Sequence, residues 1–217
     1  TTFQLYAEML RDGMVTDETR RKECLDTLCR ESVRLSHLVE NVLSLSQLER
    51  GARPDHMSSM LDAIELTRLV EATAAERAGA ATCRVHNELT DASIRIDRDA
   101  LTQILANLIE NAAKYGSAND MEAVIDVRVR IEQGTLEVLV ADQGAGIPRH
   151  ASNAIWRPFD RAGRESGTQV GLGLGLPVSR ALAQGLGGSL ELLPPRASTS
   201  GACFILRIPN ALAPATQ

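Results

Sequence analysis

The feature that most limits how this chain can fold is its first fifty residues, in which apolar residues recur at helical spacing in two successive segments. Gly13 ends a short amphipathic stripe, and Gly51 with Pro54 in "ERGARPD" ends a much longer one. Thr16 is predicted to cap this second helix, which should run to about Gln47. Its apolar positions recur every three, four or seven residues and predict a wide apolar face: Leu25, Leu28, Leu35, Leu38, Val39, Val42 and Leu45.

Nothing else in the first fifty residues can cover so wide a face. The short first helix covers part of it, and a second copy of the same hairpin would cover the rest. Residues 1–50 are therefore predicted to form a helical hairpin of the kind found in dimeric four-helix bundles, with a homodimer through these residues. Because the chain starts at Thr1 inside a helical pattern, a fragment of a longer protein is expected.

Residues 55–217 follow a different pattern and are predicted to form a second domain. Helices are predicted over 64–77, 99–115 and about 176–186, and strands over 82–89, 93–97, 189–193 and 203–209. A β-hairpin is predicted over 123–142, turning at Gln133-Gly134. Interleaved strands and helices with a hairpin predict an α+β chain, in which the helical hairpin precedes an α/β sandwich with a mixed sheet.

Charge and hydropathy narrow the classes of partner. The net charge of −5 argues against a nucleic-acid partner, which needs clustered Lys and Arg. No apolar run reaches the roughly 20 residues of a membrane helix, so no membrane contact is expected from these residues. The four cysteines have no C-x-x-C spacing, which favours a reduced, cytoplasmic location with cysteines as small apolar residues. The four histidines have no metal-ligand spacing.

The first of four clusters with candidate chemistry is "NLIENAAKYG", Asn107 to Gly116. Its helix places the side chains of Asn107, Glu110, Asn111 and Lys114 opposite the apolar face. An Asn amide oxygen can ligate Mg²⁺, and Lys can meet a phosphate. An ordinary solvated face remains the alternative for this helix taken alone.

The second cluster, "ADQGAGIP", ends an apolar strand with an acid. Gly144 and Gly146 would let a flat ring approach the backbone, and Asp142 can accept a hydrogen bond from an exocyclic amine. The third, "WRPFDR", contains Phe159 and Arg161. Arg161 can reach a phosphate from there, although a surface loop anchored by Trp and Phe is an equally ordinary interpretation.

The fourth cluster, "GLGLGL", is neither the dinucleotide G-x-G-x-x-G nor a P-loop. Gly171, Gly173 and Gly175, with Leu174 between them, open a helix, and the N-terminus of a helix binds anions through its free N–H groups and its dipole. A mobile, backbone-exposing phosphate loop is therefore predicted here.

In this order and spacing, the four clusters resemble the N box, first glycine box, F box and second glycine box of the sensor histidine kinases. That catalytic domain belongs to a superfamily shared with gyrase, heat-shock chaperones and mismatch-repair ATPases. "RLSHLVENVLSLSQLERG" is similar to the closing helix of the family's dimerisation and phosphotransfer domain. The resemblance covers essentially the whole chain. It implies a kinase that binds ATP with Mg²⁺ and transfers the γ-phosphate to a His, for relay to an Asp of a response regulator.

The resemblance also implies roles for individual residues. Asn111 would ligate Mg²⁺, and Asn107 and Lys114 would meet phosphates. Asp142 would read the adenine amine beside Tyr115. Residues from about 149 to 170 would form a lid, from which Arg161 would stabilise the γ-phosphate. The nucleotide would also contact the residues of the other boxes: Gly144, Gly146, Phe159, Gly171, Gly173, Leu174 and Gly175. The family usually has a small residue or a hydroxyl where Leu172 stands.

The phosphoacceptor box, His-Glu-x-x-x-Pro, does not occur in the chain and is expected just upstream of Thr1. His37 is the alternative acceptor, but Leu38 follows it rather than an acid that could take its proton. Asn107 stands where ATP-hydrolysing relatives carry a Glu base, which predicts transfer rather than hydrolysis. The competing hypothesis is a degenerate, non-catalytic scaffold that binds nucleotide. A cytoplasmic part of a membrane-anchored sensor is compatible with either.

Overall fold

The computed structural model describes residues 2–49, 59–89, 93–117, 122–160, 173–194 and 201–212. The chain divides into two units, Thr1–Ser46 and Gln47–Gln217. The predictions for Arg161, Gly171 and Leu172 fall outside the described residues. The proposed assignment of separate functions to residues 1–50 and 55–217 stays a prediction.

The first unit is built from two helices, α1 (Thr2–Arg11) and α2 (Glu18–Glu49). Gly13 ends α1 with φ of 66°, and the N–H groups of Gly13 and Met14 donate to the carbonyls of Leu10 and Met9. This is the Schellman arrangement, which favours glycine at its left-handed residue. The prediction that Gly13 ends the helix is correct.

The capping residue of α2 differs from the prediction. The side chain of Asp17, rather than that of Thr16, accepts a hydrogen bond from the Arg20 N–H at 2.9 Å. Both residue types cap helices well, and the helix starts one residue later than the sequence pattern suggested. The carboxylate also carries the charge that the helix dipole favours at this end.

The apolar face predicted for α2 is largely exposed. Of the described apolar side chains in this unit, only Cys24 is buried. Leu25, Leu35 and Val39 are 47%, 50% and 57% exposed. The side chains of Leu38 and Leu45 fall outside the description. A wide apolar stripe therefore exists, and the described part of the unit does not cover it.

The second unit combines three α-helices, seven strands and two short 3₁₀ turns in its described part. In chain order the regular elements are β1 (Ser59–Asp62), α3 (Ala63–Arg77), β2 (Thr82–Asn87), β3 (Ser93–Ile96), α4 (Arg98–Tyr115), β4 (Val124–Glu132), β5 (Thr135–Asp142), α5 (Gly175–Gly185), β6 (Ser189–Leu192) and β7 (Cys203–Ile208). The 3₁₀ turns are Arg149–Ala151 and Ala154–Trp156.

A five-stranded mixed sheet in the order β2-β4-β5-β7-β6 forms one layer. β2 runs parallel to β4, and every other neighbouring pair is antiparallel. The β4–β5 hairpin turns at Gln133 and Gly134, with φ of 49° and 79°, as in the two-residue turns that match strand twist. The predicted mixed sheet and its hairpin are both confirmed.

A separate two-stranded sheet pairs β1 with β3 in antiparallel register. An isolated bridge between Ile94 and Leu212 extends it. The sequence analysis did not predict β1, because four residues with one buried side chain, Leu61, give no alternation to detect.

Helix α4 is the centre of the helical layer. It packs against α3 and α5 on its flanks and against β4 and β5 beneath. The Asp97 carboxylate caps it by accepting the N–H groups of Asp99 and Ala100 at 2.9 and 3.0 Å. Its buried side chains follow the predicted helical spacing: Ala100, Leu101, Ile104, Leu105, Ala106, Leu108, Ile109 and Ala112.

The opposite face of the sheet carries a buried carboxylate. Glu137 is 6% exposed and accepts hydrogen bonds from Arg130, on β4, and Arg207, on β7, at 2.9 and 2.8 Å. Burial would raise the pKa of Glu137, but the hydrogen bonds and charges of the two guanidinium groups outweigh it and lower that pKa. The carboxylate thus ties three strands together in its ionised form.

Candidate functional site

The end of α4 lies directly against the loop that follows β5. A Cβ atom on Gly144 would overlap the carbonyl oxygen of Tyr115, and one on Gly116 would lie 2.9 Å from the Cβ of Asp142. The two backbones therefore touch, and only glycine fits at either position. The first glycine box and the N box, far apart in sequence, form one continuous wall.

Asp142 is held at the centre of this wall by backbone donors. Its Oδ1 accepts hydrogen bonds from the N–H groups of Gly144 and Ala202, at 2.9 and 3.0 Å. Backbone donors cannot swing away as side chains can, so the half-buried carboxylate has a fixed direction. A fixed acceptor of this kind can select a ligand that presents an amine.

Gly201 completes the wall and was not predicted from the sequence. Its φ is 106°, and a Cβ there would overlap the carbonyl oxygen of Asp142. A Cβ on Gly146, whose φ is 72°, would lie 2.9 Å from the Gly201 carbonyl oxygen. The only available signal was a lone glycine before the last strand, in "STSGACF". Its contact with Asp142 spans too much sequence for a local pattern to show.

The polar face predicted for α4 exists, and its side chains have different partners. Lys114 Nζ lies 3.4 Å from Glu110 Oε2, and Arg77 of α3 lies 3.2 Å from Glu110 Oε1. Asn111 is half-buried and makes no side-chain hydrogen bond within the described residues. The amide of Asn111 is therefore open to a ligand.

Asn107 lies on the same face but is directed at α5. Its Nδ2 donates to the Gly175 carbonyl at 3.3 Å and to the Ser179 hydroxyl at 3.1 Å. The sequence analysis named Asn107 and Gly175 but not Ser179. A serine inside an apolar helix gave no sign that a partner would come from another helix.

The start of α5 presents open N–H groups. It has no side-chain cap, and its third residue is Pro177, so the N–H groups of Gly175 and Leu176 are the donors that intrahelical bonding leaves unused. Leu174 is fully packed in the core, so only its backbone can reach a ligand. The predicted anion site at this helix start is therefore geometrically available.

Gly173 sits where the chain enters this turn, with φ of 70°. A Cβ on Gly173 would lie 2.7 Å from the carbonyl oxygen of Asp160. The Phe159 N–H donates to the Gly173 carbonyl at 3.2 Å. The third and fourth clusters of the sequence therefore meet at this point.

The two aromatic residues of "WRPFDR", Trp156 and Phe159, lie in different surroundings, which the sequence did not show. Trp156 packs edge-on to Phe204, with ring centroids 6.0 Å apart, and the Arg180 guanidinium lies 4.8 Å from its ring centroid. Phe159 is 66% exposed and has φ of 65°, so of these two aromatic residues it is Trp156 that packs on the domain. Ala151 and Ile155 are buried, so the first part of the predicted lid packs on the domain.

Comparison with known families identifies both units. Residues 96–212 match the family described as "Histidine kinase-, DNA gyrase B-, and HSP90-like ATPase", and residues 1–51 match the "His Kinase A (phospho-acceptor) domain". The chain belongs to the sensor histidine kinases. The resemblance carried by the four boxes is thereby confirmed.

Relatives of this chain include bacterial sensor proteins. It is 32% identical over 178 residues to the sensor protein KdpD of Mycobacterium tuberculosis, covering 78% of this chain and 19% of KdpD. It is 30% identical over 182 residues to the histidine protein kinase DivJ of Caulobacter vibrioides, covering 83% of this chain and 30% of DivJ. The chain thus spans a third or less of these relatives.

Solved structures share the fold. The Acinetobacter baumannii histidine kinase AdeS matches with a TM-score of 0.69 at 23% identity, over 95% of this kinase chain and 92% of that one. Full-length ShkA in complex with AMPPNP matches with a TM-score of 0.71 at 23% identity, over 92% of this chain and 40% of that one. Among the described helices, none has the length and apolar character to cross a bilayer.

Proposed function

We propose that residues 55–217 bind Mg-ATP and pass its γ-phosphate to a histidine, for relay to an aspartate of a response regulator. The observation that carries the proposal is the placement of a backbone-held carboxylate, Asp142, at one end of the α4 polar face, with the open start of α5 beside the other. The two match the amine and phosphate ends of one nucleotide.

At the adenine end, the Asp142 carboxylate accepts a hydrogen bond from the exocyclic amine. The ring lies against the turn from Gly144 to Gly146, whose two glycines have no room for a side chain beside Tyr115 and Gly201. Tyr115, 37% exposed at the end of α4, lies beside the ring. Phe159 is exposed near Gly173 and contacts the nucleotide from the other side.

At the phosphate end, Lys114 and the N–H groups at the start of α5 bind the phosphate oxygens. Asn111 would supply an amide oxygen to Mg²⁺, a metal that prefers oxygen ligands. The described residues hold no cluster of three or more His, Cys, Asp or Glu, which suits a metal that arrives with the phosphates. When bound, Mg²⁺ neutralises phosphate charge. Arg161, Gly171 and Gly173 complete this end by resemblance.

Transfer rather than hydrolysis follows from the residue at position 107. Asn107 has no basic oxygen to activate water, and its amide nitrogen already donates to α5. The γ-phosphate is therefore kept for an imidazole nitrogen. Dimerisation through residues 1–50 would bring α2 of a second copy over the exposed apolar residues of the first.

Calorimetry with ADP and ATP in the presence of Mg²⁺ tests the adenine end. Asp142→Asn replaces a charged acceptor with an amide that presents a donor to the amine, so affinity for both nucleotides should fall roughly tenfold or more. Asp126→Asn is the matched control, since Asp126 lies on the opposite face of the sheet and pairs with His86. Unchanged affinity in Asp142→Asn would refute the site.

Incubation with γ-labelled ATP separates the kinase from a non-catalytic scaffold. Residues 1–217 contain no His-Glu-x-x-x-Pro box, so they should bind ATP and remain unlabelled on histidine. A version extended upstream to include that box should take up acid-labile label. Acid-labile label on residues 1–217 that disappears in His37→Ala would move the acceptor to α2, and an unlabelled extended version would favour the scaffold.

A further inference from the structure

The side-chain amide of Asn107 faces α5 with both of its ends. Nδ2 donates to the Gly175 carbonyl and the Ser179 hydroxyl, at 3.3 and 3.1 Å. A Cβ on Gly175 would lie 3.3 Å from Asn107 Oδ1. The amide therefore fills the space between the middle of α4 and the first turn of α5, where a larger residue at 175 would crowd it.

Ser179 is the unexpected member of this contact. It is 0% exposed, and its neighbours Val178, Leu182 and Ala183 are buried apolar residues. A hydroxyl in such surroundings destabilises the fold unless it is hydrogen-bonded, whereas an alanine or valine would not. The Gly175 carbonyl can only accept, so it fixes which end of the Asn107 amide faces α5. The Ser179 hydroxyl oxygen accepts from the same Nδ2 and holds that end in place.

The amide in turn fixes the start of α5. Gly175 is the first residue of that helix, and its carbonyl is bonded to Asn107 while its own N–H is open. A carbonyl held from α4 sets how far the open N–H groups of Gly175 and Leu176 stand from the polar face of α4. In the proposed nucleotide site, that separation would be the space available to the phosphates.

We infer that Ser179 is a positioning residue of the nucleotide site, and that Asn107 acts on the phosphates through the start of α5 rather than by touching them. The inference rests on the proposed function. The Ser179 hydroxyl holds the Asn107 amide in place, and the amide holds the Gly175 carbonyl. The N–H groups at the start of α5 then bind the phosphates. Adenine recognition at Asp142 is not part of this chain of contacts.

A ligand series distinguishes this role from a merely structural one. In Ser179→Ala, affinity for Mg-ATP and Mg-ADP should fall roughly three- to tenfold, because the Asn107 amide loses one of the two hydrogen bonds that hold it. Affinity for adenosine, which has no phosphate, should stay at the wild-type value. Ser179→Cys preserves volume with a weaker acceptor and should fall between the two. Ser189→Ala, which removes a hydroxyl bonded to Glu191, is the control and should change none of the three.

A double-mutant cycle in Mg-ATP affinity then tests the route. If Asn107 acts through α5, Asn107→Ala and Ser179→Ala remove parts of the same arrangement, and their effects should be clearly less than additive. Additive losses would show that Asn107 touches phosphate independently, which would overturn the inference. So would equal losses for adenosine and ATP, or unchanged ATP affinity in Ser179→Ala while the wild type binds. A wild type that binds no nucleotide would instead remove the proposed function and the inference with it.

Discussion

Helices α2 and α4 have similar apolar patterns and opposite surroundings. α4 buries eight of its 18 residues against α3, α5 and the sheet. α2 is 32 residues long, yet Cys24 is its only buried side chain among those described. Helical periodicity thus predicted both helices but not what covers them. α4 is covered within its own domain, whereas the exposed stripe of α2 is the surface that a second copy would have to cover.

The largest expected effect is on stability, when a leucine side chain is truncated to alanine in each of the two helices. Leu105→Ala removes a fully buried leucine from α4 and should lower the free energy of unfolding by about 2–5 kcal/mol. Leu35→Ala in α2 removes a half-exposed one and should change it by less than about 0.5 kcal/mol in a monomer. Urea denaturation measures both. Equal losses would mean that α2 is covered within its own chain.

Charged side chains in the two units show the same contrast between buried and exposed positions. Glu137→Gln should lower stability near pH 7 by about 1.5–3 kcal/mol, because the hydrogen bonds from Arg130 and Arg207 lose their charged acceptor. Since folding lowers the pKa of Glu137, its contribution is complete above the pKa of the unfolded chain and is lost as pH falls through the lower folded value. The gap between wild type and variant should therefore close on acidification below about pH 4.

Glu18→Gln is the counterpart in α2. Glu18 is exposed and lies 3.9 Å from Arg21, so this change should alter stability little at any pH. Thermal unfolding at several pH values compares the two. A wild-type and Glu137→Gln gap that stays constant down to low pH would contradict the role given to the ionised carboxylate.

The smallest expected effect concerns association. Val39→Glu places a charge in the exposed stripe of α2 and should weaken dimerisation roughly tenfold or more, with helix content unchanged. Thr19→Glu adds the same charge on the other side of the helix and should leave association as it was. Analytical ultracentrifugation with circular dichroism measures both. A wild-type chain that stays monomeric at high concentration, with α2 still helical, would contradict the predicted dimer.

Local patterns predicted much of the second unit. The bounds of α3 and α4 fell within one residue, and the Gln133-Gly134 turn was correct, because caps, periodicity and turn residues are encoded nearby in sequence. β1 was not predicted because a four-residue strand is too short to show alternating apolar and polar residues. The contacts of Asp142 with Gly201 and of Asn107 with Ser179 escaped because they join residues about sixty and seventy positions apart. The ligand roles of the boxes stay predictions, supported by that geometry.

The Phe159 N–H donates to the Gly173 carbonyl at 3.2 Å, so two residues well separated in sequence are in direct contact. Two residues bonded in this way keep their separation whatever the number of residues between them. Doubling a flexible loop costs only about 0.6 kcal/mol in closure entropy. The intervening stretch is thus a place where insertions and deletions could accumulate during evolution while Trp156 and α5 kept their positions.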